Sequence, residues 1–247
     1  MLYLVAGAAV VVLSAVMSMA GLGVAFLVVP FLYWMGVPLA EAASTGLLLN
    51  AISLSFASVT YWRAGLINLA VGAPVGVAAI VGAPLGARLA PHVPKAVLLA
   101  LFAALLIFAG AMMLFYRRKS DARAFPRSTE VGVGAVVGGA AGVLGGLLGV
   151  GGGNLILPVL HLFGLEAKVA AGTTAMAVVL SSLSGFLGRV SVGSLNMTLV
   201  AVCATAAATG SLAGSRVMAT RVSSDQLKRI IAVILWVVAA TILAGLL

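Results

Sequence analysis

Charge is what this sequence has least of. Only 8% of its 247 residues are charged, against about 25% in a soluble domain. Five are acidic: Glu41, Asp121, Glu130, Glu166 and Asp225. All five stand at the starts of apolar segments or in loops, so a sodium site or proton relay built on intramembrane carboxylates is excluded. A single cysteine, Cys203, excludes an intramolecular disulfide and a multi-cysteine metal site and reads as a packing residue. There are no paired carboxylates, no His/Asp metal cluster and no Ser–His pair with a third partner, so an enzyme is not expected, nor any metal or cofactor. The net charge of +9 has no solvated domain to carry it, which argues against nucleic-acid binding. A positive field for an anion and the topogenic bias of cytoplasmic loops both account for it.

Hydrophobic residues make up 63% of the chain, and the mean hydropathy is +1.26. This is the composition of an all-α polytopic membrane protein. Apolar segments run over about 3–19, 23–35, 42–62, 66–90 and 95–116, then 130–149, 154–164, 169–189, 194–218 and 226–247. The first lacks the basic start of a signal peptide and reads as a helix of the mature protein. Most reach the roughly 20 residues needed to span a bilayer. Segments 23–35 and 154–164 reach only roughly 16–20 Å, about half to two-thirds of the hydrocarbon core. Each follows a glycine break: Gly21 and Gly23 in the first case, and Gly149 with Gly151, Gly152 and Gly153 in the second.

The two halves align at an offset of 128 residues. Over positions 21–88 there are 18 identities in 68 without a gap. They include Gly21/Gly149, Gly23/Gly151, Pro30/Pro158, Thr45/Thr173, Ser53/Ser181, Asn68/Asn196, Gly82/Gly210, Gly86/Gly214 and Arg88/Arg216. An internal repeat of this kind is the build of a secondary transporter. The expected domains are a first repeat over 1–116, a basic linker over 117–128 and a second repeat over 129–247.

Loop charge sets the orientation of the repeats. If each short segment pairs with its predecessor, each half has an odd number of spans and the second half is inverted. Eleven basic residues then share one side with the linker, and three (Arg88, Lys95 and Arg189) lie on the other. With parallel repeats the split is seven against seven. The positive-inside rule favours inversion, with the linker in the cytoplasm and both termini outside. Short tilted crossings and re-entrant hairpins have the same parity and stay open.

In inverted-repeat carriers the N-termini of broken helices converge near the midplane and present free N–H groups to anions. On that basis Gly151, Gly152, Gly153 and Asn154, with Gly21 and Gly23 in the first half, are expected at the substrate. Thr45, Asn50 and Ser53, and Thr173, Thr174 and Ser181, supply hydroxyl and amide groups on the segments that follow. Arg88 and Arg216 are the candidate anion partners, with Arg63 and Arg189 ranked below them, since guanidinium matches oxyanions bidentately. His161 is the single candidate for proton coupling. Trp34, Tyr33, Tyr61, Trp62 and Tyr116 stand at segment ends and read as interfacial anchors.

The run GLLGVGGGNLILPVL…AAGTTA, its weaker copy GLGVAFLVVPFL…AASTGL and the recurring G-x3-G-x-R resemble the TauE/SafE family of sulfite-exporter-like permeases over nearly the whole chain. The first half departs from the pattern where Val24 and Ala25 replace two glycines. The resemblance implies an inner-membrane secondary transporter, an exporter by family analogy, for sulfite, sulfoacetate or other organosulfonates, working by alternating access. An anion channel and a carrier of small carboxylates are the alternatives. A membrane potential negative inside would favour anion exit by about 2.3 kcal/mol per charge per 100 mV. The expected partners are the anion and the bilayer, with a homodimer open.

Overall fold

The computed structural model describes residues 2–115, 127–189 and 197–244. Most of the linker lies outside these residues, as do Tyr116, Gly193 and Asn196. Among the described residues every regular element is helical. The first half holds α1 (Leu2–Met19), α2 (Ala25–Trp34), α3 (Leu39–Arg63), α4 (Leu69–Leu89) and α5 (Lys95–Phe115). The second holds α6 (Arg127–Leu148), α7 (Gly153–Leu162), α8 (Ala167–Arg189), α9 (Met197–Arg221) and α10 (Ser224–Ala244). Among the described residues five stretches are long and apolar enough to cross a membrane: α3, α4 with its short 3-10 extension to His92, α8, α9 and Asp225–Ala244 of α10.

The short helices α2 and α7 follow breaks built alike. Leu22 donates its N–H to the Met17 carbonyl at 3.3 Å, and Val150 donates to Gly145 at 2.9 Å, the same bond one repeat later. Such a helix end needs a residue in the left-handed region just beyond it, which glycine adopts without a Cβ penalty. Gly21 and Gly149 fill that position, at φ +68° and +79°. The halves then diverge. Gly152 caps α7 in the left-handed conformation, whereas Val24, its counterpart, caps α2 in the right-handed one.

Packing crosses between the halves. α1 lies along α9, and α6 lies along α4. Small residues allow this. A Cβ on Gly138, Gly142 or Gly146 of α6 would strike the backbone of Val75, Ala79 or Ala83 of α4, so α4 and α6 run parallel with their backbones in contact. A Cβ on Gly210 or Gly214 of α9 would meet Val11 or Ala15 of α1. Without a hydrophobic driving force between helices in lipid, close backbone approach is a main source of cohesion. α3 and α8 cross antiparallel, since Asn50 meets Ser182 while Leu47 meets Gly185. α5 pairs with α10 on the flank.

Tyr61 differs from its expected place at the interface. It is fully buried and donates its hydroxyl to the Ser18 carbonyl. Ser53, Ala57 and Tyr61 follow one another at four-residue spacing on the inner face of α3, and all are buried. That periodicity outweighs nearness to the helix end. Trp34 and Trp62 are exposed, as interfacial anchors require.

Candidate functional site

The two breaks meet at the centre of the bundle. A Cβ on Gly153 would lie 3.3 Å from the Leu22 backbone. Asn50 of α3 ties the breaks together. Its Oδ1 accepts from the N–H of Ala25 at 3.1 Å, capping α2. Its Nδ2 donates to the Val150 carbonyl at 3.4 Å and to the Ser182 hydroxyl at 3.0 Å. Gly23 and Gly151 are the positions that let Asn50 in. Both have left-handed φ; a Cβ on Gly23 would occupy the space of the Asn50 side chain, and one on Gly151, 2.8 Å from Asn50 Nδ2, that of its partner, the Ser182 hydroxyl.

Most of the remaining hydroxyls here are committed to the fold. Ser181 donates to the Gly151 carbonyl at 2.7 Å. Ser14 bonds Ser53 at 3.0 Å and donates to the Ala207 carbonyl at 2.7 Å. Ser211 donates to the Ser53 carbonyl. Thr173 accepts from the N–H of Asn68 at 2.9 Å, which anchors the start of α4, and Asn68 in turn caps that helix. Thr173→Ala is therefore expected to destabilise the protein by about 1 kcal/mol, read as a lower unfolding midpoint in detergent, with Thr45→Ala as comparison.

Two of the sequence candidates stand apart from this network. Asn154 and Thr174 are buried, at 3% and 0% exposure. Among the described residues, neither Asn154 amide atom nor the Thr174 hydroxyl has a hydrogen-bond partner. Gly21 packs on the Ala171 backbone, and Thr45 is buried. His161 is buried, with Nδ1 2.9 Å from the Leu165 carbonyl oxygen.

Arg88 and Arg216 are not brought to this centre. Both side chains are exposed on the outer faces of α4 and α9. Arg189, ranked lower from sequence, is 5% exposed. Its Nε and one terminal nitrogen donate to the Gly146 carbonyl at 3.2 and 2.8 Å, and that nitrogen also donates to Leu147 at 2.8 Å. These carbonyls end α6, where a cation is favoured. The other terminal nitrogen has no partner among the described residues.

Arg189 also faces a cavity of about 290 Å³. The walls come from Val29, Pro30 and Tyr33 of α2, Ala43 of α3, and Leu99 and Phe102 of α5, closed by the ends of α6 and α10. No acidic side chain is among the described lining residues. A buried cation in apolar walls with only carbonyl dipoles as partners is an anion-binding arrangement.

The model of the family described as "Sulfite exporter TauE/SafE" matches residues 5–242. The chain belongs to that family. Membership makes it a membrane transporter of the sulfite-exporter type, in keeping with its apolar helices. No curated protein and no solved structure matches the chain. The motifs that carry the family pattern are the segments that build the two breaks and the tight α4–α6 and α1–α9 contacts.

The sequence reading missed Ser182 as a partner of Asn50. It ranked Arg189 low because every arginine near a segment end has the same explanation in sequence, namely snorkelling to the interface. A signal was nevertheless present. Arg88 and Arg216 each follow a close-packing glycine by two residues, about 200° around the helix, and so point away from the partner helix. Arg189 follows the buried Gly185 by four residues and shares its inner face.

Proposed function

We propose that the chain exports a small sulfur-containing anion by alternating access between two inverted repeats, residues 1–116 and 129–247. The linker 117–128 then lies in the cytoplasm and both termini lie outside the inner membrane. Exchanged contacts support inversion. Gly21 meets Ala171 and Gly149 meets Ala43, which are repeat equivalents, and the equivalent helices α3 and α8 cross antiparallel.

The observation that carries alternating access is the one-sidedness of the cavity. Its lining residues Tyr33 and Leu99 are half-buried, whereas their repeat counterparts His161 and Leu227 are buried; Val29 and Arg189 are buried like their counterparts Leu157 and Tyr61. The latch is repeated too. Arg189 holds the Gly146 carbonyl, and Tyr61 holds the carbonyl of Ser18, the residue equivalent to Gly146. One face is open and the other filled, as in one state of a rocking carrier. By the charge count the open face is the outer one, beside Arg88, Lys95 and Arg189.

The test is flux in liposomes holding the purified protein. Sulfite, sulfoacetate, taurine-derived sulfonates and small carboxylates are offered in turn. Saturable uptake with counterflow of at least one sulfur anion is expected, and Arg189→Gln is expected to raise its KM by about tenfold or more. Flux without counterflow would indicate a channel. Movement of carboxylates alone would shift the substrate class, and no flux at all would refute the reading.

A further inference from the structure

Behind the large cavity lies a second, much smaller one of about 10 Å³. Phe102 and Leu148 line both and form the partition between them. On the far side stand Asn154, Gly152, Gly145 and Phe26. Phe26, in the first turn of α2, packs on Phe102 with ring centroids 5.6 Å apart. The partition is thus attached to a broken helix, one of the elements that would move in a rocking carrier.

Asn154 is the unusual group in this inner space. It is 3% exposed, and both its amide nitrogen and its oxygen lack partners among the described residues. It stands in the first turn of the ten-residue α7, where the first N–H groups have no acceptor within the helix. Buried amides are ordinarily paired, and an unmet one is destabilising. The repeat makes the placement sharper, because the equivalent position in the first half is Phe26. An apolar side chain is therefore accommodated at the matching site, while the second half keeps a polar group with nothing to bond. In the rest of the centre Asn50, Ser181 and Ser182 each already bond protein partners.

We propose that Asn154 and the first N–H groups of α7 form an inner station for the oxyanion head group, and that Phe102 and Leu148 are the gate between this station and the outer cavity at Arg189. The inference rests on the transport reading above. In export the anion is held at Asn154 before it reaches Arg189. It passes between them when α2 shifts and carries Phe26 away from Phe102. The Asn154 Nδ2 and the first N–H groups of α7 are donors gathered at a helix N-terminus, and they suit a group that accepts hydrogen bonds on several oxygens. The inner cavity in the observed state is about the size of one water, so the station is closed there and must widen to receive the anion.

The experiment separates binding from translocation. Wild type is first assayed in liposomes with radiolabelled sulfite, sulfoacetate and isethionate, the hydroxyl analogue of taurine. Whichever is carried is then used for equilibrium dialysis and for flux with Asn154→Leu, Phe102→Trp and Arg189→Gln. Asn154→Leu is expected to keep dialysis binding within about twofold and lose flux by about tenfold or more. Its unfolding midpoint should stay level or rise, since an unmet buried amide is removed. Phe102→Trp should likewise bind without translocating, whereas Arg189→Gln should lose the binding itself. Flux of Asn154→Leu within twofold of wild type overturns the inner station and leaves the transport reading standing. A fall in its midpoint with flux lost in proportion to the folded fraction also overturns it, because Asn154 would then be structural, paired through a buried water. Absence of wild-type flux for all three anions overturns both readings together.

Discussion

Gly86→Leu is expected to prevent the bundle from assembling, the largest effect of any single substitution considered. Gly86 faces α6 with no room for a side chain, and a Cβ there would collide with the Val143 carbonyl and the Leu147 N–H group. The obstruction is backbone on both sides, so rotamer changes cannot relieve it. Overpacking in a dense interior is destabilising by roughly 1–3 kcal/mol when neighbours can shift. Here they cannot, and about 3 kcal/mol or more is expected. Separating α4 from α6 would also remove the mutual close approach of Gly138, Gly142 and Gly146. The measurement is the yield of monodisperse protein and its unfolding midpoint in detergent. Gly139→Leu is the control, because a Cβ at Gly139 meets nothing within 4 Å. Equal behaviour of the two variants would contradict the packing account.

Asn50→Leu carries the second largest expected effect. The side chain has three partners, the Ala25 N–H, the Val150 carbonyl and the Ser182 hydroxyl. Leucine is close in size but meets none of them. Three groups are then left buried and unpaired, each about 1–3 kcal/mol by soluble-protein measures and about 0.6–1.7 kcal/mol for hydrogen bonds between membrane helices. A combined loss of about 3–5 kcal/mol follows, allowing for partial relaxation. The consequence for transport is separate. Asn50 is the group that caps α2 and grips the loop before α7, so the two short helices lose their common reference. Flux should fall below what the folded fraction allows, in contrast to Thr173→Ala, whose flux should track its stability. A normal flux per folded molecule in Asn50→Leu would show that the breaks do not need this tie.

The same residue shows how function and fold were entangled in sequence. Asn50, Ser53, Ser181 and Thr173 are the polar groups a reader of the sequence assigns to a substrate, because polar side chains in apolar helices are rare and need a reason. The structure gives most of them protein partners. Asn154 and Thr174 are the ones left over. Residue type and spacing cannot tell a hydroxyl that bonds a neighbouring helix from one that awaits a ligand. The partner lies over 100 residues away in several of these bonds, as with Asn50 and Ser182.

What the sequence determined by itself was the set of one-dimensional properties. The ten helical segments, their bounds within a few residues, the two glycine breaks and the family follow from hydropathy, from glycine and proline placement and from motif. These depend on local chain physics: a helix needs apolar length to span, and a left-handed turn needs glycine. Tertiary structure alone decided which faces meet. It turned Tyr61 inward, sent Arg88 and Arg216 outward, set Arg189 on the cavity and left Asn154 without a partner. The reason is geometric. Each residue advances a helix by about 100°, so a shift of one or two positions exchanges lipid for core, and the neighbour that covers a face comes from the other half of the chain.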